Sequence, residues 1–380
     1  MSKLRKLTDK IKPTFEKGGK LSFLYSSFEA FESFLFVPNT VTRKGVHVRD
    51  SVDLKRVMTA VMIALVPTLL FGIYNIGYQH NLASNAGMEF WEMVWFGILK
   101  ILPLYLVSYI VGLGIEFISA QLRGHEVSEG YLVSGLIIPL IIPITTPLWM
   151  LALAVVFAVI IGKEIFGGTG MNIWNPALVA RAFLFFAYPS HMSGDKVWVA
   201  GVDGFSGATP LAQTSEGLSS LHYSVSDMFF GFIPGSVGET STLAILLGAV
   251  FLIYTGIGSW KIMLSTVAGG LVMGFIANLA APSADCAMAI PAWYHLIMGG
   301  FAFGAVFMAT DPVTAAQTES GKWIYGFLIG VLAVIIRLFN PGYPEGMMLA
   351  ILLMNTFAPV IDHIVVGRNI KRRLKRAKTV

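Results

Sequence analysis

The chain has 380 residues, 55% of them hydrophobic and only 13% charged, and its mean hydropathy is +0.70; a typical soluble domain carries about 25% charged residues. Its apolar runs reach the roughly 17–25 residues that cross a hydrocarbon core, more apolar surface than a water-soluble fold can hide, so a soluble globular protein is excluded. The net charge of +5 gathers in two terminal arms with no aromatic-and-basic platform beside it, which excludes nucleic-acid binding and points to topology and anionic lipid instead.

Residues 1–54 read as a polar arm with short amphipathic pieces, such as 21–36, and with Lys3, Arg5, Lys6, Arg43, Lys44 and Arg49 among its bases. No apolar core of a signal peptide lies within 1–53. Candidate spans follow at 55–77, 92–118, 131–144, 148–166 and 172–188, then at 240–256, 260–280, 293–310, 322–338 and 346–366. A polar stretch, 189–239, rich in Gly, Ser and Asp, separates the two sets. A basic tail, 367–380, closes the chain with Arg368, Lys371, Arg372, Arg373, Lys375 and Arg376.

Counting bases in the connections fixes an expected orientation. Both arms are expected on the cytoplasmic side, together with Arg123, Lys163, Lys261 and Lys322, while 78–91, 145–147 and 281–292 contain no Lys or Arg. The 189–239 loop then faces outward, with Lys196 its only base. Arg337 fits this count poorly.

The two sets of spans resemble each other. Ser134-Gly135, Pro139, Pro143 and Pro147 interrupt one segment, and a helix then runs from Trp149 to Lys163; Gly304 and Asp311-Pro312 interrupt another, and a helix runs from Trp323 to Arg337. Asn175-Pro176 follows the first helix and Asn340-Pro341 the second. Five spans per repeat is odd, so the halves are expected to be inverted. The expected fold class is an all-α polytopic membrane protein, about ten transmembrane helices in two inverted five-helix repeats (55–188 and 240–366) with broken helices. A pure channel or solute transporter is compatible with that architecture.

Soluble-enzyme chemistry is poorly represented. The single Cys286 excludes an internal disulfide and a thiolate-built iron–sulfur cluster within the chain. The seven His are scattered, without metal-ligand spacing, and Gly167-Gly168-Thr169-Gly170 lacks the Lys-Ser/Thr ending of a phosphate loop.

The outer loop holds Asp203-Gly204-Phe205-Ser206-Gly207-Ala208-Thr209-Pro210. Gly204 and Gly207 let a bulky group approach the backbone. Pro210 biases Thr209 toward an extended conformation with its hydroxyl projecting. A helix starting at Leu211-Ala212-Gln213 would take Thr209 as N-cap and Pro210 as its first position, so a phosphate esterified to Thr209 would face free backbone N–H groups. A short peptide of this kind, taken alone, is also an ordinary Gly-Ser turn.

This octapeptide resembles the acceptor motif for covalent flavin transfer, in which a threonine anchors FMN through a phosphodiester. The resemblance extends to 40–56 (TVTRKGVHVRDSVDLKR), 162–181 (GKEIFGGTGMNIWNPALVAR) and 303–314 (FGAVFMATDPVT). Over nearly its whole length the chain resembles the family of B subunits of bacterial sodium-translocating NADH:quinone oxidoreductases. The homologous D subunits of Rnf ferredoxin:NAD complexes share the motif and the repeat but generally lack the long N-terminal arm.

The resemblance implies a redox subunit of a sodium-transporting translocase in the bacterial inner membrane, multi-pass, with partner subunits of the A, C, D, E and F types. It implies FMN on Thr209 within a site that includes Asp203, Ser206, Gly207 and Ala208. It also implies non-covalent riboflavin near Asn172 and Asn175, three apart and expected on one face of the helix starting there; both could instead be helix caps. Ubiquinone is implied at the second span, near Gly112, Gly114 and Glu116, where plain helix packing is the alternative. Sodium seeks oxygen ligands, and Glu116, Asp311 and Asp362 are the intramembrane carboxylates open to it, or to interfacial salt bridges. NADH is expected to be oxidised by another subunit.

Overall fold

The computed structural model describes residues 3–16, 54–123, 130–202, 207–340 and 345–377, with isolated positions between 19 and 46. Among the described residues every regular element is helical. Helix α1 (Lys3–Phe15) belongs to the N-terminal arm. The first half comprises α2 (Leu54–Ser84), α3 (Phe90–Arg123), α4 (Gly130–Ile141), α5 (Leu148–Gly162) and α6 (Pro176–Ala187). Three short helices follow: α7 (Pro189–Met192), α8 (Pro210–Glu216) and α9 (Val225–Phe230). The second half has α10 (Thr242–Tyr254), α11 (Trp260–Ala280), α12 (Tyr294–Ile297), α13 (Phe301–Phe303), a π-helical turn (Gly304–Met308), α14 (Glu319–Phe339) and α15 (Met347–Ala377).

Six of these segments are long and apolar enough to cross a membrane: α2, α3, α5 with its extension to Phe166, α11, α14 and α15. Helices α4, α6 and α10 are apolar but shorter. The expected span 293–310 is resolved into α12, α13 and the π turn in succession, a broken segment rather than one helix. Large apolar side chains such as Leu70, Ile110, Val250 and Leu279 stay exposed on the outer faces of their helices. Hydrocarbon is a suitable solvent for that surface and water is not.

Corresponding helices of the halves pack alike. The second lies on the fourth and the fourth on the fifth, as α3–α5–α6 and as α11–α14–α15, while the halves meet through α2 with α10 and through α6 with α15. Small residues permit the closest contact. A Cβ on Gly269 would stand 2.1 Å from the Phe327 carbonyl oxygen, and one on Gly330 would stand 2.1 Å from that of Thr266. Only glycine lets α11 and α14 come together so closely.

Both broken segments satisfy the backbone groups they release, as a low-dielectric surrounding requires. Helix α4 stops two residues before Pro143. Its terminal carbonyls then accept from the 236–238 loop: Leu140 from the Gly238 amide at 2.8 Å and Ile141 from the Ser236 hydroxyl at 3.2 Å. In the second half the same task falls to Arg337. Its buried guanidinium donates to the carbonyls of His295 (2.5 Å), Met298 (2.8 Å) and Glu345 (3.1 Å). The base that fits loop counting poorly is thus a cap for broken helix, not a topology signal.

Two candidate sites

Thr209 occupies the position its neighbours dictate. Pro210 is the first helical residue of α8, and Thr209 precedes it with φ −68° and ψ 155°, its hydroxyl accepting from the Ala212 amide at 3.2 Å. Gly207 is buried and its amide donates to the Asp195 carbonyl at 2.9 Å. Asp203 and Ser206 lie outside the described residues. Leu211 anchors α8 by packing in a small separate core with Met228, Ile233, Ile290 and Met298. Beyond α8, the Ser219 amide and hydroxyl both donate to Asp285 at 2.7 Å. These bonds hold the Asp285 carboxyl below the usual carboxylate range.

Thr209 lines a cleft whose other polar walls include Ser193, Arg181, Ser236, Glu239, Thr240 and Glu345. Arg181 bridges two carboxylates there. Its Nη1 donates to Glu239 at 2.5 Å, and its Nη2 reaches both Glu239, at 3.4 Å, and Glu345. Burial, with the neighbouring Glu345 carboxylate, drives the Glu239 carboxyl upward against the pull of Arg181. The Thr240 hydroxyl is buried and has no hydrogen-bond partner among the described residues.

A second cleft lies among Val57, Ser134, Lys163, Asn172, Asn175 and Asp311. Helix α6 begins at Pro176, four residues later than the expected span, so Asn172 and Asn175 do not share a helical face. Asn175 is the N-cap instead: its Oδ1 accepts from the amides of Ala177 (3.0 Å) and Leu178 (3.4 Å), and its Nδ2 donates to Asp311 at 3.2 Å. Asn172 sits in the preceding turn and donates to the Trp174 carbonyl at 3.0 Å. Asp311 also accepts from the Val313 amide and the Thr314 hydroxyl, both at 3.1 Å.

The other intramembrane carboxylates stand apart from these clefts. Glu116, on α3, is buried against Lys163 in an ion pair. Asp362, on α15, accepts from the amides of Gln317 (2.7 Å) and Thr318 (2.9 Å) and from the Thr318 hydroxyl (2.5 Å), joining α15 to the start of α14. Of the two glycines on α3, Gly112 packs against the buried Tyr131 ring, which a Cβ would meet at 1.9 Å; Gly114 faces open space. Among the described residues no three His, Cys, Asp or Glu side chains form a group able to hold a metal ion. Arg181, Glu239, Glu345 and Lys163 escape sequence reading as site residues, because only the packing of distant helices brings them to the clefts.

The clefts lie at different positions along shared elements. Helix α6 contributes Pro176, at its start, to one and Arg181, near its middle, to the other, a rise of about 7.5 Å. Thr240, just before α10, lines the Thr209 cleft and Leu252, near its end, the other; the helix rises about 15 Å from Thr242 to Leu252.

A chain of apolar helices, several long enough to span a bilayer, with broken segments and two polar clefts, is a polytopic membrane protein. It belongs to the NQR2, RnfD, RnfE family, whose description matches residues 41–371. It is 47% identical to the B subunit of the Na(+)-translocating NADH-quinone reductase of Chromohalobacter salexigens, across 98% of this chain and 96% of that one. To the B subunits of the same reductase from Pseudomonas aeruginosa and Stutzerimonas stutzeri it is 46% and 47% identical, across 98% of this chain and 99% of each relative.

Proposed function

We propose that the chain is the B-type membrane subunit of a sodium-translocating NADH:quinone reductase. It carries FMN on Thr209, holds riboflavin in the Asn172–Asn175 cleft and passes electrons to ubiquinone. The reading places the protein in the bacterial inner membrane as two inverted repeats, with both termini cytoplasmic and the Thr209 loop outside. NADH is oxidised by a partner subunit. One observation carries it: in a chain matching B subunits over 98% of its length, Thr209 caps a helix at the edge of a polar cleft.

Bound flavins supply reversible electron chemistry, and the chain supplies position and charge. The tether at Thr209 keeps a soluble cofactor at an exposed loop. Leu211 and the Ser219–Asp285 contact hold that loop against the membrane core. The buried Thr240 hydroxyl offers an unused hydrogen-bonding group in the same cleft. In the other cleft Asn175 fixes the start of α6 and Asp311 at once, leaving Asn172 and Thr169 on the wall. Sodium and ubiquinone are cargo and substrate. Of the three candidate carboxylates Asp311, Glu116 and Asp362, it is Asp311 that lines a cleft, so it is the foremost of them as oxygen donor for a cation; Glu116 and Asp362 act through their present partners.

The family description also names Rnf subunits. Matching of B subunits over 98% of the chain, arm included, favours the quinone reductase. The test is flavin fluorescence on a denaturing gel, with intact-mass analysis, after co-expression with a flavin transferase. The wild-type chain is expected to fluoresce and to carry the mass of one FMN residue, and Thr209→Ala to be dark. A dark, unmodified wild-type chain overturns the reading and favours a transporter without redox role. Donor preference of the assembled complex, NADH against ferredoxin, separates the two oxidoreductases.

A further inference from the structure

Lys163 belongs to two environments at once. It lines the Asn172–Asn175 cleft, where Lys163 and Asp311 are the charged lining residues among those described. It is also ion-paired with Glu116 on α3, and the two side chains are only 3% and 4% exposed. The adjoining Glu164 does not compete for this ammonium, since it accepts from Ser119 at 2.5 Å and faces Arg123 at 3.6 Å. Asp311 has its own partners in Asn175, Val313 and Thr314.

We infer that Lys163 is a shared counter-ion: its ammonium stabilises negative charge placed on the ligand of the inner cleft, in competition with Glu116. The inference rests on the reading of that cleft as a flavin site. One electron arriving from the tethered flavin, with no proton taken up, adds one negative charge to the cleft. Lys163 is the cation lining that cleft and so compensates it, while its own proton stays on the ammonium. Each step toward the ligand loosens the hold on Glu116, whose buried carboxylate is costly to leave without a counter-charge. The coupling is reciprocal: whatever removes the charge of Glu116 frees Lys163 for the ligand. Electron occupancy in the cleft and the charge state of α3 are thereby linked through one side chain.

The geometry requires opposite effects from the two partners. In the full chain, on a Thr209→Ala background so that the non-covalent flavin is the single chromophore, Lys163→Met lowers the ratio of reduced to oxidised flavin at a fixed electrode poise at least tenfold, which is about 59 mV for a one-electron couple. Glu116→Gln raises the ratio. Lys163→Arg, which keeps the charge, lies nearer wild type than Lys163→Met does. If Lys163→Met fails to accumulate, Lys163→Met/Glu116→Gln, which buries no unmatched charge, takes its place and must lie below Glu116→Gln. Shifts of the same sign in Lys163→Met and Glu116→Gln, or none, overturn the inference, as does a double variant matching Glu116→Gln. Absence of extractable flavin from the Thr209→Ala chain, with the variants not yet compared, instead overturns the riboflavin reading.

Discussion

Asn175 and Asp311, 136 positions apart in sequence, share a hydrogen bond of 3.2 Å. That bond joins the start of α6 in the first half to the break after the π turn in the second. One amide therefore caps a helix and orients a buried carboxylate.

Separating those two tasks is a direct test. Asn175→Ala removes the cap and the Asp311 contact, costing about 1 kcal/mol or more, and is expected to deplete non-covalent flavin while leaving the Thr209 adduct. Asn175→Asp keeps a good cap but sets two carboxylates together. Flavin content of the extracted chain should fall in both variants, and full retention in Asn175→Asp would show that only the cap matters.

Gly112 and Gly114 should part company. A methyl on Gly112 collides with the Tyr131 ring, so Gly112→Ala is expected to cost about 1–3 kcal/mol through overpacking, seen as a lower melting temperature in detergent. Gly114→Ala meets nothing within 4 Å and should melt like wild type. If Gly114→Ala nonetheless weakens quinone reduction, the open side of α3 is the quinone side.

Breaking the Arg181 bridge should be severe. Arg181→Met leaves Glu239 and Glu345 without their shared guanidinium, and the loss of one partner from a buried ion pair costs about 3–5 kcal/mol. Thermal unfolding of the purified chain measures it. Arg181→Met/Glu239→Gln should regain part of the loss, since one carboxylate fewer is stranded.

Asp362 makes a prediction about sodium. Its oxygens already serve two amides and a hydroxyl at the start of α14, so Asp362→Asn should lower stability by about 1 kcal/mol without altering the sodium dependence of quinone reduction. A large change in that dependence would restore Asp362 as a cation ligand.

The Ser219–Asp285 contact has a defined pH window. Its carboxyl titrates lower in the folded chain than in the unfolded one. The contribution is therefore complete above the ordinary aspartate value of about 3.9 and is lost as pH falls through the lower, folded value. Protection of the Ser219 amide from hydrogen exchange, corrected for the intrinsic pH dependence, should decline over that interval. In Asp285→Asn it should be flat.

Local signals were legible in the sequence where local chemistry decides the outcome. Pro210 after Thr209 foretells an N-cap, and Pro143 foretells the end of α4. Asn175-Pro176 carries the same kind of cap signal, the alternative to a shared helical face for Asn172 and Asn175, and the helix starts there, four residues after the start of the expected span 172–188. Arg337 and Lys163 look equivalent from their matching distances to Trp323 and Trp149. Yet one caps backbone carbonyls and the other pairs with Glu116, since the helices packed opposite them differ. Charge pairing across α3, α5, α6 and the 239–240 turn depends on tertiary approach, and single-sequence periodicity carries no record of it.

Helix α6 touches both clefts within a stretch of two turns, and this restricts how its sequence can change length. Inserting or deleting one residue between Asn175 and Arg181 would advance everything beyond it by about 100° of azimuth and 1.5 Å of axial rise. Arg181 would swing out of register with Glu239 while Asn175 kept its place. Side-chain replacements along this rod can be repaired by neighbours, but a frame shift of its helical phase cannot, so α6 acts as a ruler of fixed length between the two compartments.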